Sequence, residues 1–253
     1  MANQNSKIID IRFSSDDLTL KGVLHLPDLN RPPVIIGCHG LFSSASSPKQ
    51  VALAEYCNRL GMAYFRFDHR GCGSSQGEFD RVTSLESRCR DLIAAAEAIT
   101  GRADTGDRLG LFGSSMGGTV CLNTAGQLSP GALVTFAAPI RSDLTGSQPD
   151  SSRSEIVFDA ARRQFDITER LSTISNILIF HGDTDDVVPV SHAREIHSLA
   201  AGPKKLIIQD QGDHPMSNPI HQKQFVQKAA SWFERWLKLE LYPKNQNRIK
   251  KTP

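Results

Sequence analysis

Short apolar runs alternate with longer segments whose apolar residues recur every three to four positions, and this alternation most constrains what the chain can fold into. A run of five or six apolar residues is too short for a helix and reads as a strand buried on both faces. Strands of this kind separated by helices form a mostly parallel sheet with helices on both sides. The apolar runs fall at residues 33–38, 62–67, 108–112, 132–137, 176–180 and 205–209. Helical spacing covers 48–60, 83–100, 116–127 and 191–200, and it returns in a closing stripe of Phe225, Ala229, Trp232, Phe233 and Trp236. In the segment 83–100, Leu85, Cys89, Leu92, Ala96 and Ile99 share a face, and Gly101 follows as a stop signal. Ahead of the alternation, residues 7–13 and 18–26 flank Ser14-Ser15-Asp16-Asp17 and predict an antiparallel hairpin.

One segment breaks the rhythm. Between Ala137 and Asn176 lie nearly forty residues containing Gly146, Pro149 and a Ser run, too long for an ordinary connection. Ser152-Arg153-Ser154-Glu155 has capping-box spacing, so a lid helix is expected within an insertion at about 139–175. The organisation predicted for residues 1–253 is a single α/β domain with an eight-stranded, mostly parallel sheet and this small lid.

A net charge of +2, with charges mixed along the length, argues against nucleic acid as the main partner. The basic stretch 244–251 reads as a solvated tail. No run of about 18 apolar residues is present, so no membrane helix is expected. The polar start, residues 1–10, has no leader-like apolar core. Five Cys at 38, 57, 72, 89 and 121 show no metal-ligand spacing and read as reduced structural thiols. Together these features predict a cytoplasmic protein; the oligomeric state is open.

The chemistry centres on Gly113-Ser114-Ser115-Met116-Gly117, which joins a strand-like run to a helix-like one. A nucleophile elbow has this context, because its turn admits only very small flanking residues. Ser115 is the candidate nucleophile, with a plain Gly/Ser turn as the alternative. A Ser hydroxyl needs a base, and the base needs a partner that fixes its tautomer. His214, in the loop 210–215 after the last strand, where Gly212 permits a sharp turn, is the candidate base. The other His residues have blander places: His25 in a strand, His192, His197 and His221 on or near helix surfaces, His39 and His181 bracing turns. Asp183, Asp185 and Asp186 cluster after the strand 176–180, and Asp185 is favoured because its spacing from Gly182 and Pro189 fits a loop curling toward the base. A metal site is the rival reading, but the run lacks calcium-loop spacing. The oxyanion donors expected are the Met116 N–H, at the start of the following helix, and the Leu41 N–H after the strand 33–38. The alternative for these two residues is plain core packing.

These blocks, in this order, resemble an α/β-hydrolase of the compact serine esterase type, similar to bacterial cinnamoyl or feruloyl esterases and to the hydrolase domains of related peptidases. The resemblance runs through His39-Gly40-Leu41-Phe42, Asp68-His69-Arg70-Gly71-Cys72-Gly73-Ser74-Ser75, Gly113 to Gly117, the run from His181 to Pro189, and Gly212-Asp213-His214. It implies Ser115, Asp185 and His214 as a catalytic triad, Leu41 and Met116 as oxyanion donors, a structural role for the loop 68–75, a small-molecule ester substrate and no cofactor. Met116 stands where feruloyl esterases of this type often carry Gln, and the lid segment is Ser- and Arg-rich. A thioesterase, a peptidase, or a silent hydrolase fold used for binding are the alternatives.

Overall fold

Strands β1 (Lys7–Ser15) and β2 (Leu18–Leu26) form the opening hairpin, with Ser15 paired to Leu18. The turn is therefore the two residues Asp16-Asp17, tighter than the four polar residues suggested, and Asp16 adopts φ 49°. Ser15 stays in the ladder despite its polarity because it is buried with its Oγ accepting from Arg70. A computed structural model of the chain describes residues 6–142 and 164–238.

The alternation then unfolds as expected: β3 (Val34–Cys38), α1 (Pro48–Arg59), β4 (Ala63–Phe67), α2 (Phe79–Val82), α3 (Leu85–Thr100), β5 (Leu109–Ser114), α4 (Met116–Leu128), β6 (Ala132–Phe136), a 3-10 turn at Thr168–Thr173, β7 (Ile177–Gly182), α5 (Ser191–Leu199), β8 (Lys204–Gln209) and α6 (Pro219–Lys238). The four-residue α2 was not anticipated, since one turn is too short to show a period. The sheet order is β1-β2-β4-β3-β5-β6-β7-β8, and β2 alone runs against the other strands.

Strand residues feed two cores in turn. Val34, Ile36 and Cys38 of β3 face α3, α4 and α5, whereas Ile35 faces α1 and α6. On α6, Phe225, Ala229, Phe233 and Leu237 are buried at spacings of four. Trp232 and Trp236 flank that stripe half-buried, and the Trp232 indole N–H donates to the Asn176 carbonyl at 2.9 Å. Each fully buried Phe or Leu of these layers contributes roughly 1.5–3 kcal/mol. All five Cys are buried and unpaired. His192, expected at a helix surface, is buried, because α5 packs it under the chain after β6, where its Nδ1 accepts from the Ile140 N–H.

The strand order reverses between β3 and β5: β3 crosses through α1 to β4 on one side, and β5 crosses through α4 to β6 on the other. Ligand sites in open α/β sheets lie at such a switch, beyond the carboxyl ends of the strands. The residues after β3 and β5 include Leu41 and Ser115. The capping box at 152–155 and the basic tail at 244–251 lie outside the described residues. Among the described residues, no helix is long and apolar enough to cross a membrane.

Candidate active site

Ser115 sits at the end of β5 with φ 53° and ψ −126°, a strained backbone for a residue with a Cβ. The strain is fixed from both sides. Its N–H donates to the Phe136 carbonyl at 2.8 Å, and its carbonyl accepts from the Gly118 N–H at 2.8 Å. The flanking positions must be Gly: a Cβ on Gly113 would overlap the Gly117 carbonyl, and one on Gly117 would overlap the Cys38 carbonyl. The elbow therefore rests directly on the chain leaving β3. It holds Ser115 half-exposed at the start of α4, where the helix dipole is positive.

His214 Nε2 lies 3.2 Å from Ser115 Oγ, and its Nδ1 lies 2.8 Å from Asp185 Oδ2. Three residues from three separate loops thus form one hydrogen-bonded chain. With Nδ1–H donating to the carboxylate, Nε2 is left as the acceptor facing the hydroxyl. The His214 loop turns through Gln211, at φ 53°, rather than through Gly212. Gly212 is needed for another reason: it packs against Gly182, where a Cβ would overlap the Gly212 carbonyl, and so joins the β7 and β8 loops that carry Asp185 and His214. Lys49 Nζ donates to the Pro215 carbonyl at 2.9 Å beside the same loop, and burial pushes its pKa down to about 8.

The Asp185 side chain is wholly buried. Burial by itself raises a carboxyl pKa, but hydrogen bonds from His181, His214 and the Val188 N–H outweigh it and hold Asp185 well below the ordinary carboxylate range. Oδ1 accepts from the Val187 and Val188 N–H groups at 2.9 and 2.8 Å, which leaves Oδ2 for His214. His181 Nε2 is 2.8 Å from the Val188 carbonyl and 3.3 Å from Asp185 Oδ2, so it braces the acidic loop as a turn His should. Asp183 and Asp186 point to solvent.

Leu41 follows β3 next to Ser115: a Cβ built on Gly40 would lie 3.5 Å from Ser115 Cβ. Met116 is the first residue of α4, and a first-turn N–H has no partner within its helix. Beneath this loop is a buried polar layer that Asp68, His69 and Arg70 supply from the segment 68–75. Asp68 accepts from the Ala45 and Ser74 N–H groups, and Arg70 Nε and Nη2 both donate to Asp91 Oδ1. The residue missed in the sequence is Arg88, fully buried and donating to the carbonyls of His39, Gly40 and Leu41. A signal was present: position 88 falls on the apolar face of α3, between Leu85 and Leu92.

Comparison with known proteins identifies the fold. The chain superposes on a ferulic-acid-bound esterase, Est1E from Butyrivibrio proteoclasticus, with a TM-score of 0.79 over 89% of this chain and 98% of the other at 19% identity. The fold is that of the α/β-hydrolases. Residues 31–154 of this hydrolase-fold chain match the family model described as serine aminopeptidase, S33. An uncharacterized protein of Mycobacterium tuberculosis (strain ATCC 25618 / H37Rv) is 28% identical over 182 residues, 70% of this chain and 60% of its own length. The chain thus spans less than two thirds of that relative. The mitochondrial palmitoyl-protein thioesterase ABHD10 of Mus musculus is 24% identical over 214 residues, 74% of this chain and 70% of its own.

Proposed function

We propose that this protein is a serine hydrolase that cleaves carboxylic esters of small molecules through an acyl-enzyme. The observation that carries the reading is the continuous hydrogen-bonded chain from Asp185 through His214 to Ser115. Ser115 Oγ attacks the ester carbonyl as His214 Nε2 takes its proton. The tetrahedral oxyanion accepts from the Leu41 and Met116 N–H groups, and buried Asp185 stabilises the imidazolium. His214 then returns the proton to the leaving alkoxide. In the second half, His214 deprotonates a water that attacks the acyl carbon, releasing the acid and restoring Ser115. An alkoxide leaves more readily than an amine, which favours esters over amides.

The test is labelling of the purified protein by a fluorophosphonate together with turnover of short p-nitrophenyl esters. Both are expected in the wild type, and both should be lost in Ser115→Ala. No labelling of folded wild type, or equal labelling of Ser115→Ala, would turn the reading toward a silent hydrolase fold that binds without cleaving. A thioester substrate is the second reading, favoured by the similarity to the mouse thioesterase. Comparing kcat/KM for matched oxygen esters and thioesters of graded acyl length decides between them.

A further inference from the structure

The cation of Arg88 lies in the interior with no carboxylate at ion-pair distance among the described residues, and its side chain is 0% exposed. Burial pulls its pKa below the ordinary guanidinium value, and its Nε finds no acceptor among the described residues. Burying a charge without an ionic partner costs stability, so its contacts are informative. Nη1 donates to the His39 and Gly40 carbonyls at 3.4 and 3.3 Å; Nη2 donates to the Leu41 carbonyl at 3.0 Å and to Cys72 Sγ at 3.3 Å. Three successive carbonyls of the loop after β3 thus point at one guanidinium.

A trans peptide is planar, with its C=O and N–H directed oppositely. The carbonyl of Gly40 and the N–H of Leu41 belong to one peptide unit, so drawing the carbonyl toward Arg88 drives the Leu41 N–H the other way. A second donor tightens the same carbonyl: His39 Nδ1 lies 2.7 Å from it. His39 Nε2 accepts from the His69 N–H at 3.1 Å, which fixes the proton on Nδ1. With Nε2 accepting, the ring is neutral in this role, and burial, with His69 and the Arg88 guanidinium nearby, holds the His39 pKa well below its ordinary value. The same loop is fixed from its other face by the elbow, where Gly117 leaves no room beside the Cys38 and His39 carbonyls.

We infer that Arg88, assisted by neutral His39, is the positioning residue that orients the Leu41 N–H toward the oxyanion, an inference that rests on Ser115 being the acylated nucleophile. Arg88 touches neither substrate nor the reacting atoms; it acts through the peptide plane between Gly40 and Leu41.

The experiment compares Arg88→Met and Arg88→Lys with the wild type. Loss of one oxyanion donor costs about 100- to 1,000-fold in kcat, and a donor only loosened should cost about 10- to 100-fold. Arg88→Met should therefore lower kcat for p-nitrophenyl acetate by about that smaller factor with KM little changed. It should weaken a trifluoromethyl ketone, whose hemiketal oxyanion occupies the same donors, by a similar factor. The low-field proton resonance of His214 Nδ1 should persist, showing that the Asp185 hydrogen bond is intact. Arg88→Lys keeps the charge but offers one reaching donor and should fall in between; it carries the comparison if Arg88→Met does not fold. In the wild type, the Leu41 amide proton should shift downfield when the ketone binds. Unchanged kcat in a folded variant, loss of the His214 resonance alongside activity, or a Leu41 amide indifferent to the ketone would each overturn the assignment. A wild type inert to fluorophosphonate would instead overturn the hydrolase reading itself.

Discussion

A carboxylate made to accept from several donors at once carries its charge at low cost, and Asp185 is built this way. The Val187 and Val188 N–H groups hold Oδ1, leaving Oδ2 to His214 with His181 beside it. Replacing the carboxylate by an amide reverses the logic. In Asp185→Asn, one amide group must face donors: if its oxygen keeps the Val187 and Val188 N–H groups, its NH2 faces His214 Nδ1 and forces the proton onto Nε2, where it blocks proton removal from Ser115. The expected result is a drop in kcat on the order of 10³- to 10⁴-fold, with the fold retained. Steady-state turnover of p-nitrophenyl acetate beside a circular dichroism melt checks both parts. Activity within a few-fold of wild type would mean that Asp185 does not set the tautomer. The sequence could single out Asp185 among its neighbours because the loop length to Pro189 limits which carboxylate reaches back. It placed His181 as a turn brace but could not name the Val188 carbonyl and Asp185 as what it braces, since any His before a strand-end Gly looks alike.

The elbow stores strain in an element rather than in a residue. Ser115 at φ 53° and ψ −126° costs on the order of 1–3 kcal/mol, and it persists because the hydrogen bonds to Phe136 and Gly118 and the contact of Gly117 with the end of β3 leave no alternative. Two glycines of α4 therefore behave oppositely. A methyl at Gly117 overlaps backbone, so Gly117→Ala must push α4 away from the loop bearing Leu41, costing about 1–3 kcal/mol and most of the activity. A methyl at Gly126 meets nothing within 4 Å, so Gly126→Ala should raise stability by about 0.5–1 kcal/mol and leave turnover alone. Urea midpoints and ester turnover of the pair provide the check; equal behaviour of the two variants would show that the close approach at Gly117 is not enforced. Helices and strands were legible in the sequence because burial on a repeating element leaves a period. The tighter hairpin turn and α2 were not, because two or four residues carry no period.

For the molecule as a whole, the layers follow from local pattern, whereas the ties between layers do not. The pairings Arg70 to Asp91, Arg70 to Asp16 and Arg88 to the His39–Leu41 carbonyls join residues 21, 54 and 47 to 49 positions apart. Nothing in linear spacing announces such pairs; only a charged residue on an otherwise apolar helix face hints at them. The tie at Asp91 also makes stability depend on pH. Burial would raise its carboxyl pKa, but hydrogen bonds from His69 and Arg70 hold it well below the ordinary range. An unfolded Asp titrates near about 3.9, so the stabilisation is fully present above that pH and is lost as pH falls toward the depressed folded value. Asp91→Asn removes this source and leaves the largely buried Arg70 guanidinium with half-exposed Asp16 as its ionic partner among the described residues, beside the neutral Ser15 hydroxyl, at a cost of roughly 3–5 kcal/mol at pH 7. Urea denaturation of both proteins at pH 7, 4 and 3 should therefore show the wild type well ahead at pH 7, with the gap narrowing below about pH 4 as its unfolded chain takes up the proton that folded Asp91 does not. A gap of the same size at pH 3 and pH 7 would mean that the charge on Asp91 is not what binds the hairpin turn, the end of β4 and α3 into one unit.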